Sequence, residues 1–178
     1  MIAFEIDQIK RFMSRLLISD AFDHFLVPEV SITTFATFRI DGTLHHEFYG
    51  DLSDNNDIST GGGSAVSGQS ISPDRDARYV RWADLKEHCL AIIRGKRTPL
   101  AFQFVFQYPE EAAKKLIMQE SLPVAPEDVN GLYFNCRFQD GRLLVTSGTS
   151  LAIFDMQKAV ERAWDAQLSR FLTRLELL

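Results

Sequence analysis

The sequence predicts an α+β protein, an antiparallel sheet with helices packed on it, folded as a single domain over residues 1–178. Three observations carry that expectation. Some segments alternate β-branched or aromatic residues with polar ones, the period of a half-buried strand, and others place apolar residues at helical spacing. Two Asp-Gly pairs, Asp41-Gly42 and Asp140-Gly141, each stand between β-rich runs, a strong signal for a two-residue hairpin. The 178 residues are 46% hydrophobic and 24% charged, which suffices to bury a core without disulfides or metal.

The elements follow in chain order. Residues 2–6 read as a short strand with Ile2, Phe4 and Ile6 on one face. Asp7 is placed to cap the next helix, whose apolar stripe is Ile9, Phe12, Met13, Leu16 and Leu17. Residues 30–40 form one β-rich run, which Asp41-Gly42 should turn into a second strand over 43–49. Residues 50–76 lose all periodicity and are rich in Asp, Asn, Gly and Ser, so a flexible insert is expected there. Trp82, Leu85, Cys89, Ile92 and Ile93 mark a helix over 79–94, stopped by Gly95 with Pro99 beyond it.

Residues 100–108 read as a buried strand, with Leu100, Phe102, Phe104, Phe106 and Tyr108 on one face. Pro109 opens a helix whose first turn carries Glu110 and Glu111 and whose stripe is Ala113, Leu116 and Ile117. Residues 131–139 and 142–147 are strands around Asp140-Gly141, and Gly148 should break the run before a further strand over 150–154. Asp155 is placed to cap the last helix, striped by Val160, Ala163, Trp164, Leu168, Phe171, Leu172 and Leu175.

This order fits two pseudo-repeated β-α-β-β-α halves, 1–97 and 98–178, and it fits chance recurrence as well, since the halves share few residues. A duplicated sheet of that kind is similar to the folds of sliding clamps and TATA-box-binding proteins, an analogy that carries little about function. Ser31-Ile-Thr-Thr-Phe35, Gly95-Lys-Arg97, Gly148-Thr-Ser-Leu151 and Ala163-Trp-Asp165 give a second likeness. In them the chain resembles an uncharacterised family of small clostridial-type bacterial proteins. The resemblance spans most of the chain outside the insert and implies no activity.

Charge and motifs narrow the function. Nineteen Lys and Arg stand against 24 Asp and Glu, a net charge of −5, whereas nucleic-acid binders usually carry a basic excess. The first residues form no signal peptide and no apolar run approaches the ~20 residues that span a bilayer, so a cytoplasmic protein away from membranes is expected. Cys89 and Cys136 read as small buried hydrophobes in a reducing compartment. Gly95-Lys96 belongs to no P-loop, and Val66 stands where G-x-G-x-x-G needs its last glycine. Adjacent His45 and His46 on a strand would face opposite ways, and the run from Asp51 has Asn56 and Gly62 where a calcium loop needs Gly and Glu. No cofactor and no metal is therefore expected.

Two features remain. From Arg75 to Arg97 seven cations face three acids, and Arg94, Lys96 and Arg97 at a helix end could grip an anion; cations there also simply offset the helix dipole. Thr33, Thr34, Thr37, Thr146, Ser147, Thr149 and Ser150 suit the open face of a sheet. The expectation is a non-catalytic binding or interaction module, with a homodimer or another protein as partner. The alternatives are an enzyme with a cleft joining His24, His45 or His88 to carboxylates, and a clamp-like nucleic-acid module.

Overall fold

The structure, a computed structural model, describes residues 1–49, 77–153 and 158–178; the expected insert over 50–76 and the cap at Asp155 lie outside the described residues. Seven antiparallel strands form one sheet: β1 (Ala3–Glu5), β2 (Leu26–Thr33), β3 (Thr37–Asp41), β4 (Val80–Arg81), β5 (Ala101–Gln107), β6 (Val129–Gln139) and β7 (Arg142–Leu151). Their order is β1-β7-β6-β5-β2-β3, and β4 pairs the start of β2. Four helices accompany them: α1 (Ile9–Leu17), α2 (Trp82–Ile93), α3 (Glu110–Gln119) and α4 (Ala159–Arg174). The α+β expectation therefore holds.

Strand period and pairing register together build one apolar face. Phe4, Val145, Cys136, Phe104, Val30 and Ile40 stand opposite one another in a single row across six strands. Phe138, Phe102 and Ile32 form the row on one side of it, and Phe106 and Phe134 the row on the other side, their rings stacked at 4.9 Å. All four helices contribute to the cluster on this face, through Phe12 and Leu16, Trp82 and Cys89, Ala113 and Leu116, and Trp164 and Leu168. Alternate residues, such as Ser31, Gln103, Asn135, Arg137 and Thr146, take the other face, where none is fully buried. Ser147 and Thr149 depart from the expected open-face set: they stand opposite Phe134 and Leu132 of the inner face, and Ser147 is buried there and bonds the Asp165 carboxylate.

The second Asp-Gly pair behaves as expected. Asp140 and Gly141 have φ of 53° and 77°, the positive values a two-residue turn joining twisted strands requires. The first pair does not. The β2–β3 hairpin turns at residues 34–36, inside the run read as one strand, with Thr33 paired to Thr37. Asp41-Gly42 instead lets the chain leave β3. The Asp41 carboxylate accepts from the N–H and hydroxyl of Thr43, at 2.9 and 2.7 Å. Gly42 then lies so close to β2 that an added Cβ would sit 1.6 Å from the Val27 carbonyl oxygen. The glycine is required by a backbone crossing rather than by a turn. Residues 43–49 accordingly form no strand: Thr43 makes a lone bridge to Tyr79, and His46–Tyr49 is a 3-10 turn.

Smaller corrections have similar local causes. Asp7 does not cap α1 with its side chain; Gln8 occupies the cap position and the Asp7 carbonyl receives Ile9 N–H. α2 starts at Trp82, because residues 80 and 81 pair with β2. β7 runs through Gly148, which stands opposite Tyr133 and is tolerated within the ladder. The register of β2 against β5 shifts between Leu26 and Glu29, around Pro28, whose missing N–H could not serve a regular ladder. The two halves are not matched: the first carries the extra strand β4 before α2, and the pairing does not repeat, since β5 pairs with β2 and β6 while β1 in the corresponding place pairs with β7. Among the described residues no helix is long and apolar enough to cross a membrane.

Candidate functional site

The three cations singled out in the sequence, Arg94, Lys96 and Arg97, come together in the structure. They line one pocket of about 370 Å³ with Thr34, Phe35, Ile92, Ile93, Thr98 and Leu100. Two elements make it. α2 ends at Ile93, where Arg94 turns to extended backbone (ψ 122°) while its N–H still reaches the Leu90 carbonyl at 2.7 Å. Opposite stands the β2–β3 turn, closed by the Thr34 N–H on the Ala36 carbonyl at 2.9 Å and by the hydroxyls of Thr33 and Thr37 at 3.1 Å. The Leu100 N–H bonds the Thr33 carbonyl at 2.8 Å and fastens the loop after α2 to the turn.

Charge and apolar surface meet at this pocket. Arg94, Lys96 and Arg97 are exposed, and no described residue forms an ion pair with any of them. The C-terminus of α2 presents about half a unit of negative charge, which three cations outweigh. Phe35, at the tip of the turn, is 93% exposed, and Leu100 is 69% exposed. Leu100 was expected on the inner face of β5, but it precedes the strand and projects at the pocket mouth instead. The Thr34 hydroxyl oxygen is shut off from solvent and has no hydrogen-bond partner among the described residues, a costly state for a polar group. The sequence revealed the cations as a run; Phe35 and Leu100 were hidden in segments read as strand.

The histidines do not gather. His45 is exposed and 3.4 Å from Glu47, and His88 is exposed on α2. His24 borders two spaces among the described residues. One is a polar cleft of about 830 Å³ that also holds Arg78, Arg81, Gln107, Glu110, Glu111 and Lys114. Both carboxylates there are exposed and engaged by Lys114, at 2.8 and 3.4 Å, and the hydrogen bond it donates to Glu110 first of all holds that ammonium above its ordinary range. The second space is a smaller pocket against α4. Loss of water lowers the His24 pKa, and the neighbouring Asp23 carboxylate opposes that shift. Among the described residues no group of three His, Cys, Asp or Glu is placed to hold a metal ion. Cys89 and Cys136 are free and buried, and burial pushes the Cys89 thiol up to about 12 and the Cys136 thiol further still.

The chain belongs to a family of unknown function, DUF5721, whose model matches residues 15–178. No curated protein and no solved structure matches it.

Proposed function

We propose that the chain is a non-catalytic binding module whose pocket beside the β2–β3 turn takes an acidic segment of a protein partner that carries an apolar side chain. The observation that supports this reading is the meeting of three cations, none in an ion pair with any described residue, with two exposed large apolar residues, Phe35 and Leu100, at one pocket. Cations steer an acidic partner and set its orientation, while a desolvated aromatic anchor supplies most of the affinity. Arginine suits carboxylates in particular, since its planar fork meets both oxygens at once. A cytoplasmic setting fits the two free cysteines, because thiols persist in a reducing compartment.

Fluorescence anisotropy with a labelled peptide of Asp and Glu around a central Phe tests the reading. Saturable binding, lost in Phe35→Ser and absent for the same peptide with Lys in place of its acids, supports it. Equal binding of both peptides, or none, contradicts it. Self-association seen by sedimentation, abolished by Phe35→Ser without any peptide binding, would instead make a second copy the occupant.

A second reading is acid–base chemistry in the cleft, favoured by the meeting there of His24 with Glu110 and Glu111. It stands behind the first because both carboxylates are tied to Lys114 and open to solvent.

A further inference from the structure

A second pocket lies at the far end of β5. Leu100, at the pocket described above, precedes this strand, and Tyr108, at the second pocket, follows it. The second pocket encloses about 260 Å³ between α4 and the segment leading into β2. Five rings line it, His24, Phe25, Tyr108, Trp164 and Phe171, with Ala21, Leu168 and Leu175 between them. They hold one another in place. Tyr108 and Trp164 are 5.0 Å apart at 40°, Phe25 and Phe171 are 5.2 Å apart edge to face, and His24 lies 4.1 Å from Phe25. Trp164 is further fixed by its indole N–H, which donates to the Tyr133 carbonyl at 2.7 Å. The indole donor is therefore engaged, and Trp164, 1% exposed, borders the pocket with only a sliver of ring surface.

Ring-walled pockets admit two kinds of occupant, a flat ring or a quaternary cation. The charge at the rim decides between them. Among the described residues the lining contains no carboxylate, and its one formal cation is Arg174. Arg174 is exposed and makes no ion pair with any described residue. A cation entering the pocket would meet like charge; an anion would find a partner with five donors. Gln167, half-buried at the same rim, adds an amide that can donate or accept. The volume lies just below the usual range for ligand sites and suits one or two fused rings.

We propose that this pocket binds a small planar aromatic anion, its ring between the aromatic walls and its acidic group on Arg174. The site is separate from the one beside the β2–β3 turn, and either can fail without the other.

The test uses the full chain labelled with nitrogen-15. Its two tryptophans give two indole N–H resonances, of which Trp164 lines the pocket and Trp82 does not. Three probes are titrated: 2-naphthoate, 2-naphthalenemethanol and choline. The expected result is a saturable shift of the Trp164 resonance with naphthoate while that of Trp82 stays in place. Arg174→Gln should weaken naphthoate about tenfold or more, the scale of a lost charge-assisted hydrogen bond, and leave the alcohol unchanged. Gln167→Phe, which fills the mouth from a partly exposed helix position, should abolish binding with an unchanged melting temperature. Choline binding more tightly than naphthoate, no saturable shift with naphthoate, or indifference to Arg174→Gln would each overturn the proposal.

Discussion

Trp164 on α4 is tied to Tyr133 on β6, its indole N–H 2.7 Å from the Tyr133 carbonyl oxygen. The side chain is 1% exposed, so a large apolar body and one polar contact are buried together. Trp82 repeats the arrangement on α2, donating to the Leu16 carbonyl at 2.7 Å. Each indole thus meets the rule that a buried N–H must find an acceptor, and each fixes how its helix lies. Trp164→Ala should cost roughly 3–5 kcal/mol, the range for truncating a large buried aromatic. That is a large share of the about 5–15 kcal/mol of a typical domain, so denaturant melts should place the variant near the edge of folding. A soluble variant with a near-native midpoint would contradict the core assignment.

Two glycines should respond in opposite ways. A Cβ at Gly42 would meet the Val27 carbonyl oxygen at 1.6 Å, so Gly42→Ala must displace backbone. We expect a loss of about 3 kcal/mol or more, the upper end of overpacking costs. At Gly95 a Cβ meets nothing within 4 Å, and its φ is not in the left-handed region. Gly95→Ala should therefore be neutral or stabilise by about 0.4–1 kcal/mol, by restricting the unfolded chain. Thermal melts of the two variants compare them directly.

Much of the fold was legible because burial writes a period into the sequence. The stripes of α2 and α4 and the alternation through Phe102, Phe104 and Phe106 follow directly from facing one core. The hairpin at Asp140-Gly141 was legible because its backbone needs positive φ at both turn positions. Asp41-Gly42 misled because the same dipeptide serves a second need, a close crossing of β2 that only tertiary structure imposes. The turn at residues 34–36 carries no Gly, Pro or Asn, so its position was invisible. The cations of the candidate site were readable as a local run. Their partners were not, since Phe35 and Leu100 reach the pocket by pairing between segments far apart in sequence.

His24 gives a pH prediction with a defined sign. Its folded pKa lies below the ordinary 6.5, first because of lost water and against the pull of Asp23. The unfolded chain therefore binds more protons near that pH, and stability rises with pH through the window between the folded value and 6.5. The residue keeps considerable exposure, so the effect on stability should be small. A proton NMR titration should find the His24 midpoint below 6.5, moving up in Phe171→Ala, which opens the ring contact at 6.3 Å. A midpoint above 6.5 in the unmodified chain would contradict the burial argument.

Neither cysteine should react in the native state. The thiolate is the reactive form, and with the Cys89 thiol near 12 and the Cys136 thiol higher, almost none exists at pH 8. Addition of 5,5′-dithiobis(2-nitrobenzoate) should release colour only after denaturant is added, at a rate set by opening. Rapid labelling of native protein would mean that one of the two thiols is accessible.

The claim that Arg94, Lys96 and Arg97 hold an acidic partner is tested most directly by their joint replacement with Gln. Anisotropy titrations of the labelled acidic peptide are run on the wild type and the triple variant at low and high salt. The cations are exposed and unpaired among the described residues, so the triple replacement should leave the melting temperature within about a degree or two, as surface substitutions do. The account predicts binding by the wild type that weakens with salt, and a variant whose affinity falls at least about tenfold at low salt and no longer responds to salt. Equal affinity and equal salt dependence in the two proteins would contradict it.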